Sequence, residues 1–376
     1  MKKIKIISIS LLVLAVLSVC AQPTGERKTV LFLVPFYTHE YQGSVVSSVQ
    51  SSQDIQAVNS FLLMGFWAGA QIALDEYQEQ NVALNVVVKD VTDNEADLRE
   101  IMENRELMEE VDLIIGPFFN KTFQIAAEYA KQYQIPIVNP FTNRTDILAN
   151  NDYVYKVIPS QDSKPATLSY MAELIPGSNI ILFMDSSAKN AEYTTYIEYF
   201  KRNGISYQDV SNQADLMKKI TPNRKNIVVV FSSHAAKMLM LSRDLLYKST
   251  PEDIILVVPE KWLSSNTYDV EYYSKLNIHF FSNFYVDKQD QQTQLFIQRY
   301  QDKFKSIPTI ENFAFQGYDI THFFVEMIRS GGDMDRVKES SICFPISFDK
   351  TPDGGYENIN IHFLEVKDDE IIPVRF

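Results

Sequence analysis

Cysteine is nearly absent: the 376-residue chain has two, Cys20 and Cys343. If Cys20 is removed or lipidated during export, Cys343 is the only thiol left, so no intramolecular disulfide forms, and a chain this long has core enough without one. Positive charge is also scarce, with 35 Lys and Arg against 48 Asp and Glu and a net charge of −13. That balance argues against nucleic acid, whose phosphates demand clustered basic residues. Metal-ligand spacing is missing among the five histidines, His39, His234, His279, His322 and His362. There is no G-x-S-x-G, H-E-x-x-H, phosphate loop or G-x-G-x-x-G. No enzyme activity, cofactor or bound metal is therefore expected, and no segment has the compositional bias of a disordered tail.

What is present is a globular composition, 45% hydrophobic and 22% charged. Single cores stop growing at roughly 250 to 300 residues, so this length predicts two domains. The start is basic (Lys2, Lys3, Lys5), then apolar from Ile6 to Val19, then small, which reads as a secretory signal peptide over residues 1–21. The apolar stretch is short and interrupted by Ser8 and Ser10, unlike a permanent anchor. Two processing readings compete: cleavage after Ala21, or a lipoprotein box Leu17-Ser18-Val19-Cys20 that lipidates Cys20 and ties the protein to the envelope. The bulky Val19 favours the first. Either way a periplasmic location is expected. Cys343, in the apolar stretch SSICFPISF, reads as a buried strand residue.

From Thr29 strand-like and helix-like segments alternate. TVLFLVPF is a continuous apolar run of the buried parallel kind. In the helix that follows, Leu62, Phe66, Ala70, Ala73 and Tyr77 form one apolar face, and Gly65 and Gly69, one turn apart, predict close packing on the sheet. Next come ALNVVVKDV, an acidic helix from Glu95 to Glu110, DLIIGP, a helix from Lys121 to Tyr133, and IPIVNP. That spacing is one of right-handed βαβ units, hence a parallel sheet covered on both faces. After YVYKVIPSQD the plan restarts with NIILFMD, NIVVVF and DIILVVP separated by helices. NIHFFSNFYVD then reads as a strand that crosses back, two helices follow, and Asp353-Gly354-Gly355 marks a closing hairpin.

Three stretches carry a family resemblance: VLFLVPF with GFWAGAQIALDEY; DLIIGPFFNKTFQIAAEYAKQYQIPIVNPFTNRTDI; and VVPEKW with HFFSNFYVD and AFQGYDITHFF. Over most of its length the chain resembles a type I periplasmic binding protein, the bilobed family that includes branched-chain amino-acid receptors. It is similar in particular to the bacterial envelope branch often found with LysM peptidoglycan-binding repeats, although no such repeats occur here. The resemblance implies two α/β lobes, Rossmann-like with parallel sheets flanked by helices, joined by three crossovers with a ligand cleft between them. Residues 27–158 plus 285–338 would form lobe 1, and 159–284 plus 339–376 lobe 2. The crossovers would fall near Ile158-Pro159, near Asn283 to Val286 and near residues 338–345. The implied ligand is small and polar, an amino acid, peptide or muropeptide, and the implied partner is a membrane transporter or an envelope protein.

Ligands of open α/β sheets bind beyond the carboxyl ends of the strands, where loops meet helix N-termini. Asn120, Lys121 and Thr122 stand at such a place, where Asn120 or Thr122 would either cap the helix or meet an anion. In the amino-acid receptors the corresponding loops offer small hydroxyl residues and backbone groups to the ligand carboxylate. Here Asn120 stands where a serine is usual and, in the loop opened by Asn139, Phe141 and Asn143 replace smaller residues beside the hydroxyl of Thr142, departures that weigh against an ordinary amino acid. From the second lobe come Ser232, Ser233, His234 and Glu260, the last matching the glutamate that meets the ligand ammonium in those receptors. Trp262 would either stack on the ligand or pack in the core. Tyr37, with Thr38 and His39, is placed to line the cleft, and the long segment after them reads as a rim or partner-binding loop.

Overall fold

The apolar alternation of one strand sets the layering of the first lobe. Strand β1 (Thr24–Val34) sends Val30, Phe32 and Val34 to one face of its sheet, and Leu31 and Leu33 to the other. Both faces are sealed: the first by helix α1 (Asn59–Glu79) and α10 (Ala314–Arg329), the second by α2 (Glu95–Met102) and α4 (Asn120–Tyr133). The computed structural model describes residues 24–38, 59–184, 190–232, 234–248, 251–263, 275–337, 341–368 and 370–374. The expected signal segment with Cys20, His39 and most of the long loop behind it, and Ser233, lie outside the described residues.

Two mostly parallel seven-stranded sheets form the molecule. In chain order, sheet 1 contains β1, β2 (Val82–Asp90), β3 (Leu113–Ile115), β4 (Ile137–Asn139) and β5 (Val154–Lys156), then β11 (Phe348–Lys350) and β12 (Tyr356–Asn358); only β11 runs antiparallel to its neighbour. Sheet 2 contains β6 (Asn179–Phe183), β7 (Gln208–Val210), β8 (Asn226–Val230), β9 (Ile254–Val257) and β10 (Ile278–Ser282), with β13 (His362–Lys367) and β14 (Glu370–Pro373) closing one edge as a hairpin. Its faces are covered by α5 (Ser163–Leu174) and α6 (Ala191–Arg202) on one side and by α7 (Gln213–Lys219) and α8 (Ala235–Lys248) on the other.

Four expectations are corrected. The acidic helix is two, α2 and α3 (Arg105–Glu110), because Asn104 leaves helical geometry and its side chain caps the second through Leu107 N–H. Gly65 and Gly69 pack on a helix and not on the sheet: a β-carbon there would lie 2.0 Å from Asn312 O and 1.8 Å from Ala314 O, and one on Gly317 1.9 Å from Phe66 O. Residues 339–376 do not all join lobe 2, since β11 and β12 extend sheet 1 and the chain crosses afterwards, at 359–361. Cys343 is buried as expected, but in a loop.

The crossings are bonded to one another. Lys156, with no exposed side-chain surface, donates to Glu357 Oε1 at 2.9 Å and to Ile158 O at 2.6 Å, and Glu357 Oε1 also accepts from Ser160 N–H. Asn358 donates to Val157 O. Thus the first crossing, 157–162, is tied to the third. Buried Asp319 of α10 accepts from the Ser341 hydroxyl and from the N–H groups of Ile342, Cys343 and Phe344; burial pushes its pKa up to about 6 against those four bonds. The loop so held presents Cys343 O to Tyr285 N–H in the second crossing and to the His362 ring in β13.

Candidate ligand cleft

The strand ends of sheet 1 carry aromatic loops. After β3, Gly116 has φ 94° and its missing β-carbon would meet Leu33 O at 2.3 Å, so only glycine lets the chain turn there. Phe118 is buried by the turn, and half-buried Phe119 occupies the cap position of α4 without a side-chain hydrogen bond. Asn120 is exposed at the helix start and does not cap. The Thr122 hydroxyl is buried and donates back to Phe119 O, and Lys121 pairs with Glu95 at 2.5 Å beside a groove on the outer face of the lobe. Of these three, only Asn120 remains open at the strand end.

After β4, the buried Asn139 side chain accepts from Phe141 N–H at 3.0 Å and Thr142 N–H at 2.8 Å, an Asx turn, and its amide nitrogen has no hydrogen-bond partner among the described residues. Thr142 is buried and its hydroxyl oxygen accepts from Arg144 N–H. Half-buried Phe141 packs 4.6 Å from Phe313, 5.1 Å from Phe118 and 5.7 Å from Phe66, centroid to centroid. Asn143 is exposed and lines a cavity of about 600 Å³ between the lobes with Arg144, Ser160, Gln161, Thr195 and Glu198. After β1, Tyr37 holds φ 54° because Asp90 at the end of β2 accepts from the N–H groups of Phe36, Tyr37 and Thr38 and from the Thr38 hydroxyl. Burial raises the Asp90 pKa, but these bonds outweigh it and hold the carboxyl below its ordinary value.

In sheet 2, Glu260 opens a single 3-10 turn, Glu260–Trp262, after β9. It is exposed and accepts from the Ser282 hydroxyl at 2.8 Å, which aims it from the end of β10. Trp262 takes the core place: it is 1% exposed and its indole N–H donates to Ser232 O at 2.7 Å, so it fixes the Ser232 loop and offers no face to a ligand. Ser232 Oγ accepts from His234 N–H, and His234 is exposed. A cavity of about 340 Å³ joins Glu260 to Lys164, Asn190, Glu192, Phe231 and Lys261. Sequence reasoning missed Ser282, Asp90, Asn190 and Phe313. Ser282 had a signal, the polar end of an apolar strand. Asn190 precedes a helix as a cap should, and it also donates to Phe231 O at 2.7 Å.

No protein-family model matches the chain, and no curated protein matches it. Solved structures do, over nearly its whole length. One assigned as a branched-chain amino acid ABC transporter from Rhodospirillum rubrum has a TM-score of 0.62 at 13% identity, covering 93% of this chain and 100% of that one. The fold is that of a type I periplasmic binding protein. An ABC transporter substrate-binding protein from Desulfitobacterium hafniense has a TM-score of 0.53 at 14% identity, covering 93% of this chain and 100% of that one. Full-length LpoA from Haemophilus influenzae has a TM-score of 0.57 at 12% identity, covering 94% of this chain and 60% of that one. The loops after β1, β3 and β4 leave the carboxyl ends of sheet 1 strands and those after β6, β8 and β9 the carboxyl ends of sheet 2 strands, the places where open α/β sheets bind ligands. Among the described residues no His, Cys, Asp and Glu cluster fits a metal, and no helix is long and apolar enough to cross a membrane.

Proposed function

We propose that this is an exported, non-catalytic binding protein whose two lobes close over a small ligand for delivery to a membrane transporter or for sensing. The observation that carries it is Glu260: an exposed carboxylate at the end of a sheet 2 strand, oriented by Ser282, beside the crossings that join the lobes. A charge so placed can select between open and closed forms, because only a ligand that binds the closed form better drives closure. The test is native mass spectrometry of gently purified protein, then a thermal-shift screen of amino acids, amines, short peptides, sugars and muropeptides. A ligand at a hundred times its Kd stabilises by about 2.7 kcal/mol, so a binder gives a clear rise in Tm, lost in Glu260→Ala. An empty protein unmoved by the whole panel overturns the reading. A second reading, an envelope scaffold that binds peptidoglycan or a protein partner, draws support from the internally bonded loop at 139–144 and the fold shared with LpoA. It predicts capture by peptidoglycan or by an envelope protein with the lobes unmoved.

A further inference from the structure

Sharing with the receptor reading only the premise that the two lobes move, we infer that Asp319 is a proton-dependent pin of the hinge, which holds loop 341–344 firmly in acid and slackens as the pH rises to neutral. The pin spans the moving parts. From α10 of lobe 1, Asp319 Oδ2 accepts from the Ser341 hydroxyl at 2.6 Å, Cys343 N–H at 2.8 Å and Phe344 N–H at 2.9 Å, and Oδ1 accepts from Ile342 N–H at 2.9 Å. The loop in turn packs Phe344 on Phe284 and offers Cys343 O to Tyr285 N–H in the second crossing and to the His362 ring of lobe 2. It therefore cannot leave Asp319 without disturbing both that crossing and the edge of the second lobe.

The sign follows from burial. Asp319 is 1% exposed, and no cation pairs with it among the described residues. Burial penalises the ionised form more than the four bonds favour it, whereas a carboxyl freed by opening of the loop faces water. The docked loop thus binds the proton more tightly than the open one, and acid favours docking. The proton also has an acceptor. Ser341 Oγ already accepts from Phe344 N–H, and its own hydroxyl is free to turn and leave a lone pair for a protonated Oδ2.

The neighbouring titratable groups act differently. Asp75 of α1 pairs with Lys303 of α9 (Gln291–Phe304), and Glu76 with Arg299 and the Tyr318 hydroxyl. Burial holds the Tyr285, Tyr300 and Tyr318 hydroxyls and the Cys343 thiol protonated, and exposed Asp287 accepts from Gln289 N–H. Burial lowers the pKa of His322 and of His362, so their protonation favours opening, the opposite sign. Lys338 and Glu339 lie outside the described residues.

The experiment is amide hydrogen exchange on the full-length exported protein at pH 7.5 and pH 5, expressed as protection factors so that the intrinsic pH dependence cancels. With a docked carboxyl that titrates at about 6 and an open one at its ordinary 3.8, opening becomes about tenfold rarer at the lower pH. Protection at Ile342, Cys343, Phe344 and Tyr285 should rise by that factor. The spread of distances between spin labels at Gln132→Cys in lobe 1 and Lys201→Cys in lobe 2 should narrow with it; Cys343, 2% exposed, stays unlabelled. In Asp319→Asn the rise should vanish, which separates it from Glu76, and in His362→Gln it should persist or grow. Should Asp319→Asn fail to fold, the carbon-13 shift of the wild-type Asp319 carboxyl takes its place and must titrate with the amides. Protection that is flat or falls in acid, a rise that survives in Asp319→Asn, or a firmer loop with the lobe distances unchanged overturns the inference. No ligand enters these readouts, so a flat hinge leaves the receptor reading standing, and a ligand screen without a binder leaves the hinge result standing.

Discussion

Replacing Glu357 by alanine strands the Lys156 ammonium in the interior of lobe 1. Lys156 has no exposed side-chain surface and also donates to Ile158 O, so removal of the carboxylate leaves a buried charge beside that neutral acceptor. Breaking a buried pair in this way costs about 3 to 5 kcal/mol. The lysine can escape by losing its proton, and neutralising a group of pKa about 10.4 at pH 7 costs about 4.6 kcal/mol, which caps the loss. Burial already lowers the Lys156 pKa against the opposing pull of Glu357. In Glu357→Ala the folded-state pKa falls further, the fold binds fewer protons than the unfolded chain, and stability rises with pH from 7 towards 10. Lys156→Met is milder: Glu357 keeps the Ser160 N–H and some solvent, so the loss is that of a charge-assisted bond, about 1.5 to 3 kcal/mol. Urea unfolding at several pH values, followed through Trp67 of lobe 1, measures both. Equal losses in the two variants, or a loss in Glu357→Ala that does not shrink as pH rises, would refute the argument.

Gly69→Ala should lower Tm even though alanine is favoured in a helix by about 1 kcal/mol, because its β-carbon meets Ala314 O at 1.8 Å; a calorimetric Tm at or above wild type would show that α1 and α10 separate freely. Asp319→Asn should cost about 2 to 4 kcal/mol, since an amide must turn its NH₂ towards N–H donors that now face two carboxylate oxygens; amide exchange at Ile342 and Cys343 should accelerate with it, and unchanged protection would refute the assignment. Asp90 has a depressed pKa, so its contribution is full above pH 4 and fades as pH falls through the folded-state value. The stability gap between wild type and Asp90→Ala should accordingly close in acid, as read by urea midpoints between pH 6 and pH 2.5. Trp262→Phe should lose about 1 kcal/mol with the bond to Ser232 O, and leave ligand affinity within twofold, because the ring does not face the cleft.

The alternation of buried strands and amphipathic helices was legible because a strand covered on both faces must read as a continuous apolar run, as NIILF and NIVVV do. What escaped was non-local. Nothing in TPDGGYENIN says whether its short polar strand will pair with β5 or with β10, and pairing with β5 depends on Lys156, 201 residues away from Glu357. Glycines at positions 65 and 69 announced a close approach without naming Ala314 as the partner. At the site, residue type misled where the side chain served the backbone: Thr122 closes its own helix turn, Asn139 closes a loop, and Trp262 ties down Ser232. Asn139-Pro140 did carry the signature of an Asx turn, and Glu260 stands at a strand end as its neighbours in sequence suggested.

The interlock of α1 with α10 also dictates an order of assembly. Helix α1 is synthesised well before its partners at 312–317, and Tyr77 finds its acceptor at His322 O 245 residues later. Sheet 2 has five of its seven strands between residues 179 and 282, an unbroken stretch of chain. The second lobe can therefore consolidate from local segments, while the first completes itself only when residues 312–358 arrive. Contacts of such long range close slowly, so the packing of the first lobe sets the pace at which the whole molecule becomes native.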